Sequence, residues 1–112
     1  MQFLMLLYRD RLPIDETTPE LDEDDVEAWV TRMDARGARL AGDPLRLDAD
    51  AVTVRVRGGS TRREDGAYLD TGNTLIGFDL LECHDIDEAV AVAAEHPMAA
   101  GFALELRPVV EP

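Results

Sequence analysis

Two segments of this chain are apolar on both alternating sets of side chains, and that restricts its fold more than any other feature. In Phe3-Leu-Met-Leu-Leu-Tyr8, an extended backbone sends Phe3, Met5 and Leu7 one way and Leu4, Leu6 and Tyr8 the other. Thr74 to Glu82 repeats the character. A strand apolar on both sides needs cover on both sides. A sheet built on these strands therefore takes helices on one face and something further on the other.

The rest of the pattern supplies the helices. Arg9 to Glu16 reads as a polar loop containing Pro13, and Thr18-Pro19 reads as a helix entry with proline at the first helical position. Asp22-Glu-Asp-Asp25 suits a helix N-terminus, where the macrodipole favours negative charge. Val26, Trp29, Val30 and Met33 fall on one helical stripe, and Gly37 suits the C-terminal end. Asp85 and Glu88 have the spacing of an N-cap and its reciprocal acid. Ile86, Ala89, Val90 and Ala93 predict the buried stripe of a second helix, which His96-Pro97 ends.

Four further extended segments follow from alternation and turn residues. Ala38 to Leu47 reads as a short strand interrupted by Gly42-Asp43-Pro44. In Ala51 to Arg57, valines alternate with Thr53, Arg55 and Arg57, which predicts a half-buried strand. Gly58-Gly59-Ser60 turns the chain, and the polar stretch from Thr61 to Asn73 has room for a short returning strand and a loop. Phe102 to Val109 is the last strand. The order is strand, helix, strand, strand, extra hairpin arm or strand, helix, strand. Two helices cover one face of an antiparallel sheet; the other face remains apolar, and a second copy of the same sheet is the natural cover. The expectation is a single α+β domain over residues 1–112, acting as a homodimer.

Charge and composition remove several function classes. The chain has 112 residues, 24 acidic against 11 basic, and a formal net charge of −13; every basic residue is arginine. Such a surface repels phosphates and anionic lipids, so neither nucleic acid nor membrane is an expected partner. No stretch approaches the roughly 20 apolar residues of a membrane span. A lone cysteine, Cys83, fits a reducing cytoplasm. No phosphate-cradling loop, nucleophile elbow or dinucleotide fingerprint occurs, and no cofactor is implied. Cys83-His84-Asp85 puts three potential metal ligands side by side, but adjacent residues rarely converge on one ion and no second cluster completes a site, so no metal is expected.

The ordered pieces resemble the YCII-related family, in the branch named for an Asp-Gly-Pro-Phe motif. They are the opening strand, Trp29, Gly37-Ala-Arg-Leu-Ala-Gly42 with Pro44-Leu45, Val52-Thr-Val-Arg55, Asp65-Gly66, Gly77-Phe-Asp-Leu80, Asp85-Ile-Asp-Glu-Ala89, His96-Pro97 and Glu105-Leu-Arg-Pro-Val109. The resemblance implies a ferredoxin-like antiparallel sheet with two helices on one face, paired as a dimeric α+β barrel. Relatives in the wider superfamily include small-molecule isomerases, monooxygenases and a dehydrochlorinase, and members of the branch often accompany sigma factors. Two departures stand out. The branch motif continues here as Ala67-Tyr68 in place of Pro-Phe. The family's helix-borne His falls near Val26, and its Asp before a proline is His96, so the His–Asp pair is not preserved.

Six residues are candidates for a site. His96 is either a general base or ligand contact, or the end of a helix; it is expected to be partly exposed with no carboxylate within hydrogen-bonding reach. Asp65 of Asp65-Gly66 either polarises a ligand or serves a turn. Arg55 and Arg107 offer bidentate contacts to an anion, or pair with the abundant acids. Tyr8 and Trp29 are pocket walls or core. Three functions compete: a domain binding a small organic molecule in a barrel cleft, an isomerase or lyase using His96 as base with Asp65 or an arginine as partner, and a regulatory domain without chemistry.

Overall fold

Strand β1 (Gln2–Arg9) runs through the centre of the molecule, because it is the segment apolar on both sides. The computed structural model describes residues 1–9, 21–69 and 71–111. On one side β1 pairs antiparallel with β5 (Thr74–Glu82), and on the other with β6 (Ala103–Pro108). Strand β2 (Arg39–Pro44) adds outside β5, giving a four-stranded antiparallel sheet in the order β2-β5-β1-β6. With helices α1 (Glu23–Ala35) and α2 (Ile86–Ala94) this is the ferredoxin-like α+β arrangement.

Both helices begin as their sequences dictate. The Asp22 carboxylate accepts the Asp24 backbone N–H at 2.9 Å, and three acids occupy the first turn of α1. Asp85 accepts the Glu88 N–H at 2.9 Å, while Glu88 reaches back to the His84 N–H at 2.7 Å. Thr18-Pro19 and the loop before it lie outside the described residues. Helix α2 stops before Pro97, and His96 is extended as expected. Gly37 takes φ +69, the left-handed turn that frees the chain from α1.

One face of the sheet is sealed. Phe3, Met5 and Leu7 meet Trp29 and Met33 of α1 and Ala89, Val92 and Ala93 of α2, with Leu81 and Cys83 completing the core. Leu4, Leu6, Tyr8, Phe78 and Leu80, on the opposite face, are only half-buried. Cys83 packs in the core, His84 is exposed and Asp85 caps a helix, so the three do not converge.

Three expectations are corrected. Gly42-Asp43-Pro44 does not interrupt β2, because an edge strand tolerates proline at its last residue. The buried stripe of α2 is Ala89, Val92 and Ala93, whereas Ile86 and Val90 are exposed. The indole N–H of Trp29 fixes this rotation by donating to the Val92 carbonyl at 3.0 Å. Val52 to Arg57 is not half-buried on its valines. It forms β3, paired with β4 (Ser60–Asp65) in a separate two-stranded hairpin whose Val52, Val54 and Val56 are all exposed.

Trp29 is fully buried and touches both helices and the sheet core. Replacing it with alanine should cost about 3–5 kcal/mol of stability in chemical denaturation. A shift below about 1 kcal/mol would show the indole to be peripheral.

Candidate functional site

A cavity of about 180 Å³ opens between α1 and the β2–β5 edge of the sheet. Its apolar walls come from Leu7, Val26, Val30, Ile76 and Met98, and its charged and polar side chains from Arg39, Asp43, Asp79 and His96. Val26 is one turn before Val30 on α1, and His96 enters from the end of α2. Val26 and His96 thus meet at one cavity.

His96 is buried, 3% exposed, against the expectation of partial exposure. Its extended backbone carries the ring off the end of α2 and into the core, where it lies against Trp29 with ring centroids 4.6 Å apart. The Met98 backbone N–H donates to Nδ1 at 3.0 Å. Nδ1 is therefore the unprotonated nitrogen, and in the neutral ring the proton sits on Nε2. Burial lowers the pKa from 6.5 to about 4, so the ring is neutral at physiological pH. Among the described residues Nε2 has no hydrogen-bond partner, yet no fully enclosed polar atom is left unpaired. Nε2–H is thus a donor that reaches open space. The absence of a carboxylate beside His96 agrees with expectation.

Asp79 sits on the helix-facing side of β5, in phase with buried Gly77 and Leu81. Arg39 Nε donates to Asp79 Oδ1 at 2.7 Å, while its other nitrogens donate to the Gly42 carbonyl at 2.9 Å and to Asp34 at 3.0 Å. Burial pushes the Asp79 carboxyl above the usual carboxylate range, and the bond to Arg39 pulls it only part of the way back. An ionised carboxylate has about four acceptor sites, so Asp79 retains capacity beyond Arg39. Gly42 pairs with Asp79 in register, and a Cβ there would stand 2.1 Å from Asp79 Oδ1 and 2.7 Å from the Phe78 carbonyl. The glycine leaves the space that the carboxylate occupies.

The remaining candidates are dispersed. Asp65 is highly exposed at the end of β4, 3.7 Å from Arg63, and does not approach His96. Arg55 bonds Glu64 at 3.1 Å and lies over the Tyr68 ring at 5.3 Å. Arg107 pairs with Glu105 at 3.0 Å. Tyr8 lines a different, wider groove with Leu75, Ala103 and Leu104. Trp29 borders the cavity only through its contact with His96. Sequence reading missed Arg39, Gly42 and Asp79. The available signal was one acid inside an otherwise apolar strand, since a buried carboxylate is uncommon unless paired.

Fold and cavity together define a ferredoxin-like α+β protein with a small polar site between its first helix and its sheet. The chain belongs to the YCII-related domain family, whose model matches residues 1–111. No curated protein matches it.

Two outcomes test the site. Unfolded, His96 takes a proton near pH 6.5; folded, near pH 4. Between those values the unfolded state binds more protons, so stability is full above about 6.5 and falls as pH is lowered toward 4. The His96 share is about 2 kcal/mol at pH 5, and His96→Phe should flatten the pH dependence of the denaturation midpoint by that amount. Nitrogen chemical shifts should also report a protonated Nε2 above pH 5. Gly42→Ala should separate Arg39 from Asp79 and cost about 3 kcal/mol, the scale of a broken buried ion pair. A neutral outcome in denaturation would show that the pair relaxes freely.

Proposed function

We propose that this chain is a homodimeric domain that binds a small polar organic molecule in the α1–sheet cavity. One observation carries the reading: His96 Nε2–H is an unpartnered donor on a nearly fully buried ring, lining the same cavity as Asp79. The ring is held in place by burial while its Nε2–H stays open to solvent, so a ligand acceptor can replace water there at a fixed donor. A molecule with a carbonyl oxygen for His96 and a hydroxyl or amine for Asp79 suits both groups. The space equals roughly six water volumes, which restricts the ligand to a small hydroxy- or amino-carbonyl compound. The half-exposed apolar face of the sheet supports the dimer, and the single cysteine accords with a cytoplasmic setting.

A second reading, isomerisation or elimination by proton transfer, is favoured by the chemistry of Asp79. His96 is ill suited as base, because Nδ1 is occupied by Met98 and Nε2 carries the proton. The roles therefore differ from those read in the sequence. Asp79, with its carboxyl shifted up by burial, accepts the proton adjacent to a carbonyl, and His96 donates to the developing oxyanion. Asp65 and Arg107 have no part in it.

Small hydroxy- and amino-carbonyl compounds, screened by chemical-shift perturbation, should move the resonances of Val30, Ile76, Asp79 and His96. His96→Phe should abolish the effect while leaving the fold intact. Uniform failure of such compounds against the wild type would remove the binding reading. Exchange of substrate protons in deuterium oxide, lost in Asp79→Asn, separates catalysis from binding. Light scattering at micromolar concentration and moderate salt should give twice the 12.4 kDa chain mass.

A further inference from the structure

We propose that the β3–β4 hairpin is an arm that docks on a second copy of this chain, with its valine row seated in the groove beside Tyr8. The proposal rests on the homodimer reading and goes beyond it by assigning the contacting segment and its seat.

An isolated two-stranded hairpin is marginal in water, yet this one packs chiefly on itself. Its valines form one continuous exposed row: Val52 is 44% exposed, Val54 61% and Val56 58%. The opposite strand places Thr61, Arg63 and Asp65 directly across from them. Nothing in the same chain covers that face among the described residues. The arm also makes the molecule extended. Its radius of gyration is 16.1 Å, against about 13 Å for a compact chain of this length. The accessible surface is 8017 Å², where about 6,100 Å² suits the mass. The surplus exceeds the roughly 800 Å² that each partner buries in a standard interface.

Charge selects the occupant. Val52 to Asp65 carries four arginines against two acids, a local excess of two positive charges in a chain of net −13. The remaining residues therefore hold an excess of 15 negative charges. Arg55 and Arg62 stand directly opposite each other across the hairpin, an unfavourable pairing of like charges. Arg57 bonds only its neighbour's carbonyl, and among the described residues Arg62 has no acidic partner, in a chain rich in acids. A basic arm on an acidic body is complementary to the body of another copy. The overall charge disfavours the phosphate backbone that a basic hairpin might otherwise meet.

The seat is a groove of about 560 Å³ at the end of the sheet, lined by Tyr8, Leu75, Ala103 and Leu104 of the sheet, by Asp48 and Glu105, and by the segment that follows the arm, from Ala67 to Leu69 with Thr71 and Asn73. Its apolar floor matches the valine row and its acids face Arg63, which shares the valine face, while Arg55, Arg57 and Arg62 stand on the arm's other face to meet the acidic body beyond the groove. Burying three valines there removes an exposed apolar face from each protomer at once, as a two-fold interface requires.

The test uses the full chain. A photocrosslinking amino acid at position 54, in a mixture of isotopically light and heavy protein, should give inter-chain products mapping to the Tyr8–Leu75–Ala103 groove. Val54→Glu with Val56→Glu should weaken self-association at least 10-fold in sedimentation equilibrium while leaving the far-ultraviolet circular dichroism unchanged. Arg57→Glu with Arg62→Glu should weaken it in the same direction. A wild-type dimer unaffected by both pairs, with intra-chain products only, overturns the arm and leaves the homodimer standing. A wild-type monomer at all concentrations overturns both.

Discussion

The hydrogen bond from the Trp29 indole to the Val92 carbonyl sets the arrangement on which the rest depends. It joins the two helices over the central strand and fixes which side of α2 faces inward. The same indole then forms one wall of the space that receives His96. Trp29 is thus core that backs the site: its burial gives stability, and its ring packs against the imidazole that lines the cavity. Once the ring is there, burial makes it neutral and the Met98 amide decides which nitrogen carries the proton. The chemistry of His96 follows from packing, with no charged neighbour required.

Asp79 shows a second way in which packing sets chemistry. Carrying a carboxylate on the core side of a strand is costly unless it is paired. Arg39 supplies the pair, Gly42 supplies the room, and the Gly42 carbonyl holds a further guanidinium nitrogen. Gly42 faces Asp79 in register across the β2–β5 pair, and Arg39 reaches the same carboxylate from three residues earlier on β2. Such a buried ion pair contributes little net stability compared with well-packed apolar residues. The pair stands beside the cavity, and its carboxylate keeps acceptor sites that Arg39 does not fill.

What was legible in the sequence follows from periodicity. β1 and β5 announce themselves as doubly apolar strands, and the Asp85–Glu88 cap marks the start of α2. The stripe of α2 was misread because Ile86 to Ala94 is apolar or small almost all round, so two overlapping stripes fit equally and only the partner, Trp29, chooses between them. Asp79 was missed for a related reason. In a strand apolar on both faces, a single acid does not reveal which face it occupies. The alternation in Val52 to Arg57 was real, but alternation states only that one face is apolar, not that the same chain covers it. The candidates Asp65, Arg55 and Arg107 were chosen by residue type, and each is held in an ordinary exposed ion pair.

His96 and Val26 reach one cavity from the two helices. Val26 gives α1 an apolar wall there. An imidazole before Pro97, with Nδ1 tied to Met98, can only donate into the cavity at neutral pH. Two carboxylates, Asp43 and Asp79, line the same space; Asp79 is the buried one, and its bond to Arg39 leaves it acceptor capacity. The cavity combines a donor on the end of α2 with an acceptor on the sheet. Under the proposed binding role, that arrangement suits a ligand that presents an acceptor toward α2 and a donor toward β5.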